Sequence, residues 1–325
     1  MSQFDFKKTS QMLETPEGRQ KFKSKFDEIK STILGLKHGS PPAIFFGLID
    51  LIKDYPEFKE EADDYLFWSD LYNKIKIDPV EPLSFEKLLK YSMSKDPEEV
   101  AIAKRFISKA GAESSFMQLL LTDKSIRYDK KEIIKHISGD NEIEYLGSGV
   151  SGVTYKAGNK VFKLIQSRLR FEIPYHPRIM MPQFRRKFED NSMLEVLNLG
   201  KVKSANITDE KLLEIYKELE EAGIVWTDAK KENLVELLED NDLPDYNLGK
   251  DFNLYGFLED SRYPTENHKA LKKGDIVICD LDHLYLKDDP ILEVMHIGMP
   301  DPIITDYLNR KEAEKRKKLE PNERE

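Results

Sequence analysis

The chain has 325 residues, of which 39% are hydrophobic and 34% are charged, and its formal net charge is −9. This apolar fraction can fill a core, which excludes a chain that is disordered throughout, and the excess of acids disfavours a protein that coats nucleic acid. The one cysteine, Cys279, excludes an intramolecular disulfide and a cysteine-rich zinc cluster, and it favours a cytoplasmic location. No apolar run is long enough to predict a transmembrane segment, and the residues after Met1 do not resemble a secretory signal.

Residues 1–138 have the pattern of helices joined by short turns. A Ser, Thr or Asp before a proline predicts a helix start, because the side chain caps the first turn and proline tolerates the first helical position. Helix starts are predicted at Thr15-Pro16, Ser40-Pro41, Ser84 and Asp96-Pro97. Apolar residues follow at helical spacing, as in the stretch from Phe22 to Leu34. The sequence therefore predicts an all-α domain, either a bundle without chemistry of its own or a regulatory or substrate-docking platform.

The pattern changes after the turn cluster Ser138-Gly139-Asp140-Asn141. Strands are predicted at 143–145, 153–156, 160–165, 178–188 and 193–197, with a tight hairpin at Gly158-Asn159. An amphipathic helix is predicted from Thr208 to near Gly223. Strands followed by a helix predict an α+β domain at 139–308, and the charged residues 309–325 are predicted to form a solvated tail.

A glycine-rich segment, 147–152, lies between the first two predicted strands. Its sequence is Gly147-Ser148-Gly149-Val150-Ser151-Gly152. A dinucleotide-binding loop would be followed by a helix, whereas this segment is followed by a strand. The context favours a loop that covers the phosphates of ATP, where missing side chains let backbone N–H groups approach. The alternative is a glycine-rich hairpin without a ligand.

Three further segments place polar groups within apolar surroundings. The residues concerned are Lys163 in a predicted strand, Asp228, Lys230 and Asn233 after the predicted helix, and Asp280 and Asp282 at the end of an apolar run. In this order, a glycine loop, a strand lysine, D-x-K-x-x-N and D-x-D resemble the protein kinase superfamily over roughly residues 141–290.

The resemblance implies a minimal bilobal kinase-like domain at 139–308 that uses ATP and Mg²⁺, with Mn²⁺ as an alternative metal. It implies that Asp228 orients or deprotonates the acceptor hydroxyl and that Lys230 offsets charge on the transferring phosphoryl group. Lys163 would bind the phosphates of ATP. Asn233 and Asp280 would hold the metal, and Asp282 is either a second metal ligand or a solvated acid.

The resemblance also implies a set of nucleotide-binding residues. They combine the glycine-rich segment, the strand lysine and the residues expected beside the adenine: Gly147, Ser148, Gly149, Val150, Ser151, Gly152, Lys163, Leu197 and Leu199.

Several features depart from the family pattern. Trp226 and Thr227 replace the usual histidine and arginine, so an activation-loop phosphate lacks its usual docking group. The region 166–177 is too short for a full helix αC, which leaves Glu172 or Glu189 as candidates for its glutamate. An acidic insertion follows Asn233, at 235–260, and 45 residues remain after Asp280. Such a minimal core is similar to stripped-down kinases used as bacterial effectors, which implies a host protein as substrate and delivery by a system independent of signal peptides.

A basic run lies in the first half of the predicted α+β domain. It comprises Arg168, Arg170, Arg178, Arg185, Arg186 and Lys187, with Lys201 and Lys203 nearby. It is interpreted either as a polyanion-binding surface or as the charged edge of a sheet, and the edge is favoured.

The leading hypothesis is an ATP-dependent phosphotransferase that acts on Ser or Thr hydroxyls of a protein. Lys230 favours protein over small-molecule phosphorylation, because kinases similar to aminoglycoside kinases usually lack this lysine. AMP transfer or small-molecule phosphorylation on the same fold is one alternative. A pseudokinase scaffold whose helical domain carries the function is the other.

Overall fold

The computed structural model describes residues 4–37, 39–75, 83–149, 152–165, 175–182, 184–241, 271–289, 292 and 300–319. Helices come first, and a region that contains sheets follows, so the chain is a mixed α and β protein. It divides into two compact units. Unit 1 is Met1–Arg168 with Arg185–Val196, and unit 2 is Leu169–Phe184 with Leu197–Glu325.

The helices of unit 1 begin where the capping residues predict. Thr15 accepts a hydrogen bond from the N–H of Gly18, Ser84 from that of Lys87, and Asp96 from that of Glu98. The helices are α1 (Phe6–Leu13), α2 (Pro16–Lys23), α3 (Phe26–Leu34), α4 (Pro41–Ile52), α5 (Lys59–Asn73), α6 (Phe85–Ser92), α7 (Pro97–Leu121) and α8 (Lys124–Ser138). The apolar stretch from Phe22 to Leu34 is divided between α2 and α3, because the chain turns at Ser24-Lys25.

A five-stranded sheet follows α8, with the strand order β1-β2-β3-β5-β4. The strands are β1 (Ile143–Ser148), β2 (Gly152–Ala157), β3 (Lys160–Ile165), β4 (Phe184–Lys187) and β5 (Met193–Asn198). The predicted hairpin is confirmed: Ala157 pairs with Lys160, and Gly158 takes a positive φ of 59° that glycine adopts without strain. The predicted strand 178–188 is shorter than expected, because Pro182 has no N–H for a ladder and residues before it make one isolated bridge, Ile179 to Ile278.

The helices of unit 1 cover one face of this sheet. Tyr155 and Phe162 oppose each other on β2 and β3, and the Tyr155 hydroxyl donates to the carbonyl of Leu71 on α5. Helix α7 packs on β1 and β2, and α8 packs on β3. Thr154 and Lys163 form the neighbouring cross-strand pair and lie on the opposite face, because successive strand residues alternate in direction. The predicted boundary at 138/139 therefore marks a change from helices to strands. The helices before it and the strands after it pack against each other.

Helix α8 is tied to the turn before β5 by a buried charge pair. Lys130 Nζ lies 3.0 Å from Asp190 Oδ2, which also accepts a 2.7 Å hydrogen bond from Thr122. Burial acts to raise the pKa of Asp190, but hydrogen bonds from Ser192 and Thr122 and the charge of Lys130 outweigh it and lower the pKa to about 2. Burial lowers the pKa of Lys130 in spite of the carboxylate. The folded protein thus favours the ionised form of Asp190. The Lys130 ammonium needs this carboxylate to offset the cost of its burial.

In the part of unit 2 that the structure describes, two small sheets are combined with two α-helices. Its elements are β6 (Val202–Ser204), α9 (Asp209–Glu221), β7 (Ile224–Trp226), β8 (Leu234–Leu237), β9 (Ile276–Ile278), β10 (Leu284–Leu286) and α10 (Pro302–Leu319). One sheet has the order β6-β8-β9, and β7 pairs with β10 in the other. Thr208 caps α9 as predicted, and α10 runs without interruption across the predicted boundary at 308/309. Apolar residues of α9 and all these strands form the core, with Trp226, Leu234 and Leu284 almost fully buried.

Among the helices that the structure describes, none combines the length and the apolar character needed to cross a bilayer.

We expect Asp190→Asn to lower the free energy of unfolding by about 3 kcal/mol near neutral pH, because it leaves the buried Lys130 ammonium without a carboxylate. The folded-state pKa of Asp190, about 2, lies below its usual 3.8. Ionised Asp190 therefore stabilises the fold above about pH 4, and this contribution disappears as the pH falls towards 2. Urea unfolding of both proteins across this range measures the difference.

The matched control is Asp140→Asn, since Asp140 is exposed and we expect its change to be within about 0.5 kcal/mol. A destabilisation by Asp190→Asn that does not shrink in acid would contradict the charge-pair explanation.

Candidate functional site

Two loops of unit 2 are held opposite each other by strand pairing at both of their ends. The 227–233 loop joins β7 to β8, and the 279–283 loop joins β9 to β10. β7 pairs antiparallel with β10, where Trp226 opposes Leu284, and β8 pairs antiparallel with β9, where Leu234 opposes Ile278. Because each pairing extends to the strand residues that adjoin the loops, the two loops face each other. The D-x-K-x-x-N and D-x-D segments, 52 residues apart from Asp228 to Asp280, meet there.

Hydrogen bonds between the loops complete this frame. The N–H of Cys279 donates to the carbonyl of Asn233 over 3.2 Å, and the N–H of Thr227 donates to the carbonyl of His283 over 2.9 Å. Asp280 follows Cys279 directly, so its backbone lies beside Asn233. The bond from Thr227 secures the opposite ends of both loops.

Asp228 contacts both of the other motif residues of the 227–233 loop, Lys230 and Asn233. Lys230 Nζ lies 2.7 Å from Asp228 Oδ1, and the exposed fractions of the two side chains are 31% and 15%. Asn233 Nδ2 donates to the Asp228 carbonyl over 3.0 Å and approaches Asp228 Oδ2 at 3.5 Å. The amide nitrogen of Asn233 thus faces Asp228, which leaves its amide oxygen directed elsewhere. A carboxylate, an ammonium group and an amide oxygen thus lie close together within the segment 228–233.

The acids of the 279–283 loop are half-buried, as is Cys279. The backbone carbonyl of Asp282 accepts a 3.0 Å hydrogen bond from the hydroxyl of Tyr285, which holds the turn into β10. Among the described residues, no group of three or more His, Cys, Asp or Glu side chains is arranged to hold a metal ion. A metal at this place would rely on fewer protein ligands, which is usual for Mg²⁺ bound together with phosphates.

Trp226 and Thr227 stand where the family pattern has histidine and arginine. Trp226 is 1% exposed and lies in the core of unit 2, which agrees with a packed, architectural indole. The Thr227 hydroxyl lies 3.4 Å from His283 Nδ1. Trp226 therefore anchors one end of the 227–233 loop by packing, and Thr227 does so by its contact with His283. Neither residue supplies the positive charge of the family arginine.

Asp301 supports the 227–233 loop, although it belongs to none of the predicted site segments. Its N–H donates to the carbonyl of Ala229 over 2.9 Å, and its Oδ2 accepts from the N–H of Lys231 over 3.2 Å. Its own carbonyl accepts from Ile304 and Thr305 at the start of α10. The signal was present in the sequence, because Asp301-Pro302 repeats the helix-start pattern of Asp96-Pro97. Asp301 therefore fixes the chain on both sides of Lys230.

The glycine-rich segment and Lys163 belong to unit 1. Gly147 and Ser148 end β1, and Gly152 begins β2, where it would meet the carbonyl of Leu164 if it carried a Cβ. The N–H of Gly149 donates to the carbonyl of Gly152 over 3.0 Å and closes the loop. Val150 and Ser151 lie outside the described residues. Lys163, on β3 opposite Thr154, is half-buried.

The residues predicted near adenine lie at the end of β5. Leu197 is buried in the core of unit 2, and Leu199 packs against that core. The carbonyl of Asn198 between them accepts a 2.6 Å hydrogen bond from the side chain of Asn241. The backbone after β5 is therefore held in a defined conformation. Of the helix αC candidates, Glu189 lies in the turn after β4, and Glu172 lies outside the described residues, as does most of the acidic insertion.

Five residues of the basic run and its neighbours pair with acids of the same chain. The pairs are Arg178–Glu218, Arg185–Glu195, Arg186–Asp129, Lys201–Glu239 and Lys203–Glu236. Arg168 and Arg170 lie outside the described residues. This pairing offsets much of the positive charge that a polyanion would bind, and it suits the interpretation as charged sheet surfaces.

The structure thus assembles Asp228, Lys230 and Asn233 on one loop of unit 2 and sets Asp280 and Asp282 on the facing loop. Asp301, directly before α10, stabilises the first loop. No protein-family model, curated protein or solved structure matches this chain.

We expect Asp301→Ala to loosen the 227–233 loop, because the N–H of Lys231 loses its acceptor. A net loss of about 1 kcal/mol raises amide exchange in this loop about five-fold. Asp301→Asn keeps a carbonyl oxygen at the same place and should exchange at nearly the original rate. Hydrogen–deuterium exchange with mass spectrometry measures the loop peptide directly.

Asp306→Ala is the matched control, because Asp306 is an exposed acid on α10 itself. Equal loop exchange in the Asp301→Ala and Asp306→Ala proteins would refute the role given to Asp301.

Proposed function

We propose that this protein is an ATP- and Mg²⁺-dependent Ser/Thr protein kinase with a minimal, atypical kinase domain. The observation that carries the proposal is the opposition of the 227–233 and 279–283 loops between two antiparallel strand pairs. It brings the D-x-K-x-x-N and D-x-D segments together, which are the two segments that the family resemblance makes catalytic. Sequence spacing alone did not require them to meet.

Asp228 is the proposed acceptor-binding group. It would accept the proton of the substrate hydroxyl while the hydroxyl oxygen forms a bond to the γ-phosphorus of ATP and the bond to the bridging oxygen breaks, so that ADP leaves with the electron pair. Lys230, whose ammonium lies 2.7 Å from Asp228 Oδ1, is placed to offset negative charge beside the same oxygen. Asp301 supports both groups through the backbone.

The donor atoms at the loops fit a hard divalent cation. The amide nitrogen of Asn233 is engaged by Asp228, so its oxygen remains as a ligand, and Asp280 supplies a carboxylate from the adjoining strand end. Asp282 is the further candidate. Mg²⁺ or Mn²⁺ held there would offset the charge of the triphosphate, and one or two protein ligands suffice when phosphates supply the rest.

Lys163 and the glycine-rich segment are the proposed contacts of the ATP phosphates, the lysine as a point charge and the loop through its backbone. The family resemblance proposes the backbone from Leu197 to Leu199 as the contact of the adenine. A protein substrate is favoured over a small molecule by Lys230, which belongs to the protein-kinase form of the loop.

The test is transfer of phosphate from [γ-³²P]ATP to the chain itself and to casein, together with the intact mass of the chain after incubation with Mg·ATP. Asp228→Asn and Asp280→Asn keep the shape of the side chains and remove the charge. We expect each to reduce transfer about 100-fold or more. Asp288→Asn, an exposed acid just beyond the 279–283 loop, should retain full transfer.

The mass identifies the reaction. A gain the size of a phosphoryl group that disappears in both variants supports the kinase, whereas an adenylyl-sized gain would replace it by AMP transfer. Absence of any transfer, with a thermal shift on adding Mg·ATP, would favour a nucleotide-binding scaffold. Unchanged transfer by Asp280→Asn would refute the assigned site.

A further inference from the structure

Helix α7 touches the glycine-rich segment at a point where only glycine fits on the helix side. A Cβ built on Gly111 would lie 1.7 Å from the carbonyl oxygen of Gly149. Gly111 lies well inside a 25-residue helix, where glycine costs about 1 kcal/mol relative to alanine. The close approach of the two backbones gives a physical reason for a residue that the helix itself disfavours.

A second contact lies one helical turn earlier on α7. The hydroxyls of Ser108 and Ser148 are 2.8 Å apart, and the Ser148 hydroxyl also donates to the carbonyl of Ser108 over 2.5 Å. The Tyr145 hydroxyl lies 2.9 Å from that of Ser148. Ser108 and Gly111, three residues apart on one helix face, thus meet Ser148 and Gly149, two successive residues of the loop.

A register shift in β1 makes this possible. Tyr145 opposes Tyr155, but Gly147 opposes Thr154, so Leu146 is an extra residue in the strand. Regular alternation would point Tyr145 and Ser148 to opposite faces, whereas the extra residue turns both towards α7. The sequence of the strand is therefore adapted to the helix that covers it.

The contact lies on the face of the sheet opposite Lys163. Ser148 opposes Val153, which shares its face with Tyr155 and therefore with the helices. Lys163 opposes Thr154 on the other face. Helix α7 thus supports the loop from the side away from the lysine that is proposed to bind phosphates.

We propose that α7 is a brace that sets the conformation of the first part of the glycine-rich loop, Gly147 to Gly149, with Ser108 and Gly111 as its positioning residues. This proposal depends on the proposed function in one respect, namely that Mg·ATP is the ligand of this loop. The brace gives the N-terminal helices a defined part in nucleotide binding. A loop that is already ordered loses less conformational entropy when the ligand binds.

The first experiment needs no nucleotide. Hydrogen–deuterium exchange of the full chain should show faster exchange of the peptide 145–155 in Ser108→Ala, about five-fold for one lost hydrogen bond, and a larger increase in Gly111→Ala. Ser115→Ala is the matched control, a buried serine on the same helix whose hydroxyl has no hydrogen-bond partner among the described residues. Helix propensity alone would make Gly111→Ala stabilising and would not speed exchange. The brace instead predicts faster exchange of the loop in this variant.

Should Gly111→Ala also expose α7 itself to exchange, Ser108→Ala decides the question. Exchange of the loop at the wild-type rate in Ser108→Ala would overturn the brace.

The second experiment measures the affinity of each protein for a fluorescent analogue of Mg·ATP. We expect Ser108→Ala and Gly111→Ala to weaken binding about three- to ten-fold and Ser115→Ala to leave it unchanged. Faster loop exchange without weaker binding would refute the positioning role. If the wild-type chain itself does not bind the analogue, the proposed function fails, and the exchange experiment still decides whether α7 holds the loop.

Discussion

The candidate site depends on one constraint, the antiparallel pairing of the chain around 224–237 with the chain around 276–286. Backbone hydrogen bonds at both ends of this pairing leave two short loops that have to face each other. The polar side chains are short or anchored, so their positions follow from the backbone. The apolar core beneath them, with Trp226 and Leu284 paired across β7 and β10, keeps the strands in register.

The N-terminal helices are part of the architecture around the first sheet. Their contacts with it include an aromatic face, a buried charge pair at Lys130 and Asp190, and the close approach of Gly111 to Gly149. A buried charge pair contributes little net stability but makes the loss of one partner costly, so it favours one arrangement of helix and sheet. A substitution in the contacting helices therefore also affects the glycine-rich segment, and the reverse.

Charges that looked alike in the sequence have different roles in the structure. Several described arginines and lysines of the basic run are paired with acids from distant positions, for example Arg178 with Glu218 and Arg186 with Asp129. Lys230 pairs with an acid two residues away, inside the proposed site. A linear sequence shows where charge is dense, but pairing depends on which side chains the fold brings within about 4 Å.

The sequence by itself determined the helix starts at Thr15, Ser84, Asp96 and Thr208, the hairpin at Gly158 and the residues of the two polar loops, because capping, turn formation and polar groups in apolar surroundings are local properties. Only the tertiary structure decided that the two loops face each other, that Asp301 holds one of them and that Gly111 touches Gly149. These contacts join residues 38 to 72 positions apart. They depend on strand register and helix packing, which no local pattern encodes.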